Sequence, residues 1–262
     1  MSIKISVLGS GSRGNATYVR TEQVRLLIDC GLSRRAVQKR LQLIGEDPER
    51  LDSILVTHEH TDHIGGLPSM LKDDSLTAYM SLGTFEGGCA ERFQRSDSSI
   101  VSITAGHEFR IGDVEVTPFT VPHDAREPLA FSLKYKGIKV TQLTDSGCIP
   151  ESVSSALKGS DVLILESNHD LDMLRVGPYP WSLKQRLMGR HGHLSNSAVS
   201  SFLRGPYDGL AQHIVLAHLS SKNNHPELAK QEACAALKSK GLGGTEVSVA
   251  EQGSPSNPIE FG

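Results

Sequence analysis

The chain has 262 residues and a net charge of −3 at pH 7. That length suits one α/β domain, and the near-neutral balance excludes a non-specific polyanion binder of the histone kind while allowing a local basic patch. Cys30, Cys89, Cys148 and Cys234 are widely spaced with no Cys-x-x-Cys pair, which fits reduced thiols better than a disulfide framework or a zinc knuckle.

The N-terminus alternates like a strand and has no signal-peptide core, and no apolar run approaches the ~18 residues of a membrane span. The expectation is a soluble, cytoplasmic protein with no membrane association, forming a single domain over residues 1–262. Strands are expected at Ile3–Leu8, Ala16–Val19 and Leu26–Ile28, then a helix over Ser33–Leu43 with Ser33 as its N-cap. Ser53–Val56 reads as a buried strand feeding a polar loop, with a helix after it through about Leu71. Thr77–Met80 and Ile100–Thr104 are the next strands, with a helix around Thr84–Phe93 between them. Further strands are expected at His107–Arg110, Val114–Thr120, Ala130–Tyr135 and Lys139–Leu143, the last two joined through Lys136-Gly137 as a tight hairpin. There follow a helix at Glu151–Leu157, a strand at Val162–Glu166, helices at Leu183–Met188 and Ser195–Leu203, and a strand at Ile214–Ala217. The helix Pro226–Ser239 and the edge strand Glu246–Val249 complete the series. This alternation on both sides of the midpoint implies the α/β class, an αββα sandwich of two mixed β-sheets flanked by helices.

The most informative stretch is His58-Glu59-His60-Thr61-Asp62-His63, directly after Ile54-Leu55-Val56. In His-x-His, alternate side chains of an extended backbone point the same way, so His58 and His60 can hold one ion together. Asp62 and His63 turn toward a second. Four more strand ends carry a histidine or an acid: His123, Asp145, Glu166 and His218. The resulting assignment gives His58, His60 and His123 to one divalent ion, zinc or manganese, and Asp62, His63 and His218 to the other. Asp145 is the natural bridge, and a water between the ions would lose a proton near neutral pH and act as nucleophile.

These residues resemble the metallo-β-lactamase superfamily, whose signature is His-x-His-x-Asp-His followed by later His, Asp and His ligands. The resemblance spans nearly the whole chain and includes Asp29-Cys30-Gly31 and Thr144-Asp145-Ser146-Gly147. The strings Ser10-Gly11-Ser12-Arg13-Gly14-Asn15, Glu166-Ser167-Asn168-His169-Asp170, Gly192-His193-Leu194-Ser195-Asn196 and His218-Leu219-Ser220 are similar to its YycJ/WalJ-type branch. That branch is related to the tRNA 3′-processing endonucleases and is exonuclease-like. The resemblance implies the metallo-β-lactamase fold and a dinuclear-metal hydrolase cleaving phosphodiester bonds in nucleic acid, with DNA as the expected substrate.

Fold membership does not fix the reaction, because this superfamily hydrolyses several bond types and also reduces oxygen. His60 stands where the oxygen-reducing branch has a Glu, and Asp145 where the β-lactamase branch lacks a carboxylate. Thioesterases of the glyoxalase II kind share the ligand set and remain the alternative. In the superfamily's phosphodiesterases, a Glu and a His placed like Glu166 and His193 orient the phosphate and protonate the leaving alkoxide; Asp62 joins them as an expected catalytic residue. Only twenty-one residues separate His123 from Asp145 and seventy-two separate Asp145 from His218, too few for a tRNA-clamping arm or a large inserted nuclease domain.

Asn15, His169 and Asn224 are candidate substrate contacts, although the glycine-rich turn at Asn15 could equally be structural and His169 could act from behind the site. Lys184, Arg186, Arg190 and His191 could form a phosphate-binding rim or a solvated helix face. Tyr179 and Trp181 could stack a base or anchor a core.

Overall fold

The computed structural model describes residues 2–72, 75–89 and 99–262. Its backbone divides into two compact units: Met1–Thr120, Ala125–Gly137 and Glu251–Gly262 in the first, Val121–Asp124 and Ile138–Ala250 in the second.

In the first unit, β1 (Ile3–Gly9), β2 (Ala16–Arg20) and β3 (Arg25–Ile28) form an antiparallel meander. β4 (Ser53–Leu55), β5 (Thr77–Met80) and β6 (Ile100–Ser102) extend it in parallel. Helix α1 (Arg34–Leu43) starts where expected: the Ser33 hydroxyl accepts the Ala36 N–H. Its Val37 and Leu41 are buried with Leu8, Tyr18, Leu27, Ile54 and Val56 in one apolar core. β7 (Phe109–Ile111), β8 (Val114–Thr120) and β9 (Leu129–Tyr135) form a second antiparallel run. At the end of β9, Lys136 and Gly137 have φ of 48° and 90°, the positive values a two-residue hairpin turn needs.

The second unit is parallel throughout, with β10 (Ile138–Leu143), β11 (Val162–Glu166), β12 (His213–Ala217) and β13 (Glu246–Val249) in register order. β11 is buried at every position, which is why it reads as an uninterrupted apolar run rather than an alternation. The helices are α5 (Glu151–Leu157), α6 (Leu171–Val176), α7 (Trp181–Met188), α8 (Asn196–Arg204) and α9 (Pro226–Ser239).

Several expectations are corrected. The helix expected through Leu71 is two single turns, α2 (Thr61–Ile64) and α3 (Leu67–Met70), because the Gly66 N–H is drawn to the Cys30 carbonyl at 2.8 Å. The helix expected around Thr84–Phe93 begins earlier, as α4 (Leu82–Thr84) capped by Ser81, and continues as a π-helical turn at Phe85–Cys89; residues 90–93 lie outside the described residues. The strand expected at His107–Arg110 is β7, displaced because His107 N–H closes a turn onto the Thr104 carbonyl. Two elements were not anticipated: α6, and the edge strand β14 (Ile259–Phe261) antiparallel to β1.

Candidate metal centre

The first unit carries the histidine loop between β4 and α2. Beneath it lies Asp29, fully buried at the end of β3 with φ of 64°, a conformation that non-glycine residues keep only when their surroundings hold it. Thr57 makes the connection: its N–H and its hydroxyl reach Asp29 Oδ1 at 2.8 and 2.9 Å, and the hydroxyl lies 2.9 Å from His58 Nδ1 and 3.2 Å from His63 Nδ1. His63 Nδ1 donates to Asp29 Oδ2 at 2.8 Å. A carboxylate on Nδ1 sets the tautomer and leaves the lone pair on Nε2, the nitrogen that could ligate a metal. That nitrogen lies 3.6 Å from Asp62 Oδ2. His58 Nε2 stands 3.0 Å from His60 Nδ1, the convergence expected of His-x-His.

Asn15 is buried and turned to this loop. Its N–H donates to the Asp62 carbonyl at 2.8 Å, its Nδ2 lies 3.1 Å from His63 Nε2, and its Oδ1 accepts the Gly11 N–H. The glycine-rich turn thus clamps the metal loop. A Cβ at Gly31 would lie 1.7 Å from the Asp62 carbonyl oxygen, so the Asp-x-Gly turn needs glycine there for the two backbones to meet.

The second unit gathers Asp145, Glu166, His193 and His218, each offering a donor atom within 4.8 Å of the others'. Asp145 and His218 follow β10 and β12 with φ of 58° and 56°. Glu166 closes β11: Oε1 lies 2.7 Å from His193 Nδ1 and 3.0 Å from His218 Nδ1, while Oε2 accepts the N–H groups of Ser146 and Leu194. Burial alone would raise the Glu166 pKa, but the charge and hydrogen bond of His193 and the bond to His218 hold it well below the usual carboxylate range. Burial would likewise lower His193, and the charge and hydrogen bond of Glu166 raise it instead. In this hydrogen-bonded pair each group favours the charged form of the other.

His123 belongs to this unit too. Its Nδ1 donates to the Gly192 carbonyl at 3.2 Å, and its Nε2 lies 3.9 Å from Asp145 Oδ1. Burial, stronger than the opposing charge of Asp145, keeps its pKa low and the imidazole in the neutral form that binds metals.

The other two candidate substrate contacts, Asn224 and His169, are both buried. Asn224 exchanges hydrogen bonds of 2.9 Å with the Asn196 carboxamide and donates to the Ser167 and Asn168 carbonyls, so its side chain is spent inside the fold. His169 is 1% exposed, its pKa pushed down to about 4 by burial. Lys184 is buried with Nζ on the Arg175 carbonyl, which removes it from any rim. Sequence reasoning missed the roles of Thr57, Asn168 and Asn196; Asn168 Nδ2 holds the His218 carbonyl at 2.8 Å and Asn196 pairs with Asn224. Their signal was present in the Asn-rich strings around residues 168, 196 and 224 but not their pairing.

Residues 24–218 match the family model described as the β-lactamase superfamily domain. Exodeoxyribonuclease YycJ of Bacillus anthracis is 35% identical over 263 residues, covering 100% of this chain and 99% of that protein. Exodeoxyribonuclease WalJ of Streptococcus pneumoniae is 34% identical over 245 residues, covering 93% and 91%. The metallo-β-lactamase fold protein YhfI of Bacillus subtilis aligns with a TM-score of 0.73 at 20% identity over 100% of both chains, a likeness of fold.

Proposed function

This chain belongs to the β-lactamase superfamily, in the branch of the YycJ/WalJ exodeoxyribonucleases, and from that membership we propose that it shortens DNA from an end by hydrolysing phosphodiester bonds. It is a metal-dependent hydrolase of the metallo-β-lactamase fold, with two mixed sheets flanked by helices. Among its described residues no helix is long and apolar enough to cross a membrane. The free thiols of Cys30, Cys148 and Cys234 support a cytoplasmic location. Residues 1–262 are proposed to work as one catalytic domain.

The observation that carries the reading is the Glu166–His193 pair beside Asp145 and His218. A departing nucleotide alkoxide needs a proton far more than a thiolate does, since a thiol's pKa is only ~8.5. With Nδ1 of His193 held by a carboxylate at 2.7 Å, the imidazolium is stabilised and Nε2–H is the proton to give. Thioester cleavage has no use for that arrangement.

The donor chemistry fits divalent cations. Asp29 fixes the Nδ1 side of His63 and the Gly192 carbonyl that of His123, the usual support for ligating imidazoles. On the family motif, His58, His60 and His123 are proposed for one ion, Asp62, His63 and His218 for a second, and Asp145 for both; zinc or manganese suits these ligands. Bound ions supply Lewis-acid polarisation of phosphate and water. Asp62 is proposed to orient the attacking water, and His193 with Glu166 to protonate the leaving oxygen. Incubating the metal-loaded protein with 5′- and 3′-labelled single- and double-stranded DNA should give stepwise shortened products from one end. Intact DNA together with hydrolysis of a thioester control overturns the proposal.

A further inference from the structure

The second unit carries an exposed apolar tip that the reaction chemistry does not use. Helix α6 starts five residues after Glu166, and α7 ends five residues before His193. The segment they form leaves from and returns to the Glu166–His193 pair, which makes its base. That base is fastened by a bridge between His169 and Ser195, by the Asn196 N–H on the His169 carbonyl, and by the Asp170 N–H on the Asn223 carbonyl. The arms are pinned by Lys184 Nζ on the Arg175 carbonyl at 2.7 Å and by Gly177, whose Cβ would stand 2.4 Å from Asn223 Oδ1. At the tip, Val176 is 86% exposed and Trp181, the chain's one tryptophan, 61% exposed, with Pro178 and Pro180 exposed between them. A tryptophan this open anchors no core. It is an aromatic face held in water at the start of α7, open to contact with a partner.

The other end of α7 says which partner. Arg186 Nε donates to Asp124 Oδ2 at 2.6 Å, beside His123. The Asp124 N–H donates to the His191 carbonyl, and the Arg190 carbonyl oxygen would lie 2.3 Å from a Cβ at Gly147, two residues from Asp145. The backbone of Arg190 and His191 therefore borders the Asp145–His193 cluster, and both residues are exposed. At 1.5 Å per residue, Trp181 lies about 10 Å along the helix from Met188, roughly three stacked nucleotide steps. A cationic rim at the reacting end and an aromatic face beyond it are the two parts of a single-strand track.

We propose that Trp181 is a base-stacking platform for the DNA strand a few nucleotides from the scissile bond, with Arg190 receiving an intervening phosphate. The proposal rests on the nuclease reading above. Because Trp181 is the only tryptophan, its fluorescence reports the contact directly. A single-stranded eight-nucleotide DNA with hydrolysis-resistant phosphorothioate linkages should quench it, and the corresponding dinucleotide should not. Trp181→Ala should raise KM for long single strands roughly ten- to hundredfold, leave kcat and turnover of a p-nitrophenyl phosphodiester unchanged, and be largely restored by Trp181→Phe. Absent quenching, or an unchanged KM in Trp181→Ala while DNA is still cut, overturns the platform. So does concentration-dependent association that Trp181→Ala abolishes while DNA leaves the fluorescence unaltered, which would make the tip a contact between two copies. If the wild-type protein cuts no DNA, the nuclease reading falls, and quenching by the eight-nucleotide strand alone decides the platform.

Discussion

The histidine loop of the first unit and the Glu166 cluster of the second both hold imidazoles in a fixed orientation, by different means. In the loop, His58, His60 and His63 lie within six residues of one another, and Thr57 meets the Nδ1 atoms of His58 and His63 while Asp29 meets that of His63. In the cluster, the donors come from strand ends and a turn spread over residues 145–218, and one carboxylate, Glu166, holds two histidines and two backbone N–H groups. The loop offers ring nitrogens to a metal; in the cluster the Glu166–His193 hydrogen bond favours a proton on the imidazole. Damage to the loop should therefore read out as metal affinity, and loss of His193 from the cluster as turnover at unchanged metal content.

Removing the ions strikes both regions and carries the largest expected effect. Dialysis against a chelator should abolish hydrolysis, and added Mn²⁺ or Zn²⁺ should restore it. Elemental analysis of the reloaded protein should find about two ions, since seven candidate ligands exceed what one four-coordinate ion uses. A single ion, unchanged in Asp62→Ala, would break the division of ligands.

His193→Ala should follow, lowering kcat on DNA by roughly 10²–10⁴-fold with metal content near wild type. The loss should shrink for a p-nitrophenyl phosphodiester, whose leaving group departs without protonation. Equal losses on both substrates would move His193 from proton donor to substrate binding. The counterpart in the loop is Asp29→Asn, which should weaken metal binding by roughly 10–100-fold, measured by competition with a chromophoric chelator. If Asp29→Asn spares affinity and lowers only turnover, the contrast between the regions fails.

The same contrast explains what could be read in advance. The histidine loop was legible because its chemistry is contiguous and follows an apolar strand, and Asp145, Glu166 and His218 because each directly follows or ends one. The left-handed backbone at Asp29, Asp145 and His218 was not, since no residue type announces it. β14 is three residues long and pairs with β1 from the other end of the chain, so no local period marks it. α6 buries only Leu174 and owes its start to the Asp170 cap, leaving no apolar stripe to detect. Lys184 read as a surface cation because its partner, the Arg175 carbonyl, belongs to α6, an element with no apolar stripe to announce it.

The smallest effect should come from a charged group in neither region. Glu46 follows α1 and is buried against Lys4 at 2.9 Å, Arg20 at 3.0 Å and the Tyr18 hydroxyl at 2.9 Å. Burial would raise its pKa, but the bonds to Lys4 and Tyr18 and the charge of Arg20 bring it below the ordinary value. A carboxyl lowered in the folded state stabilises the fold above its unfolded pKa of ~4.3 and loses that contribution as pH falls through the folded value. Glu46→Gln should therefore cost about 1–3 kcal/mol at pH 7, and the gap from wild type in urea unfolding should narrow steadily below pH 4. Metal affinity and turnover of the folded variant should match wild type. A change in either would mean that the strand β1 and helix α1 framework is coupled to the histidine loop, and the separation between scaffold and site would have to be redrawn.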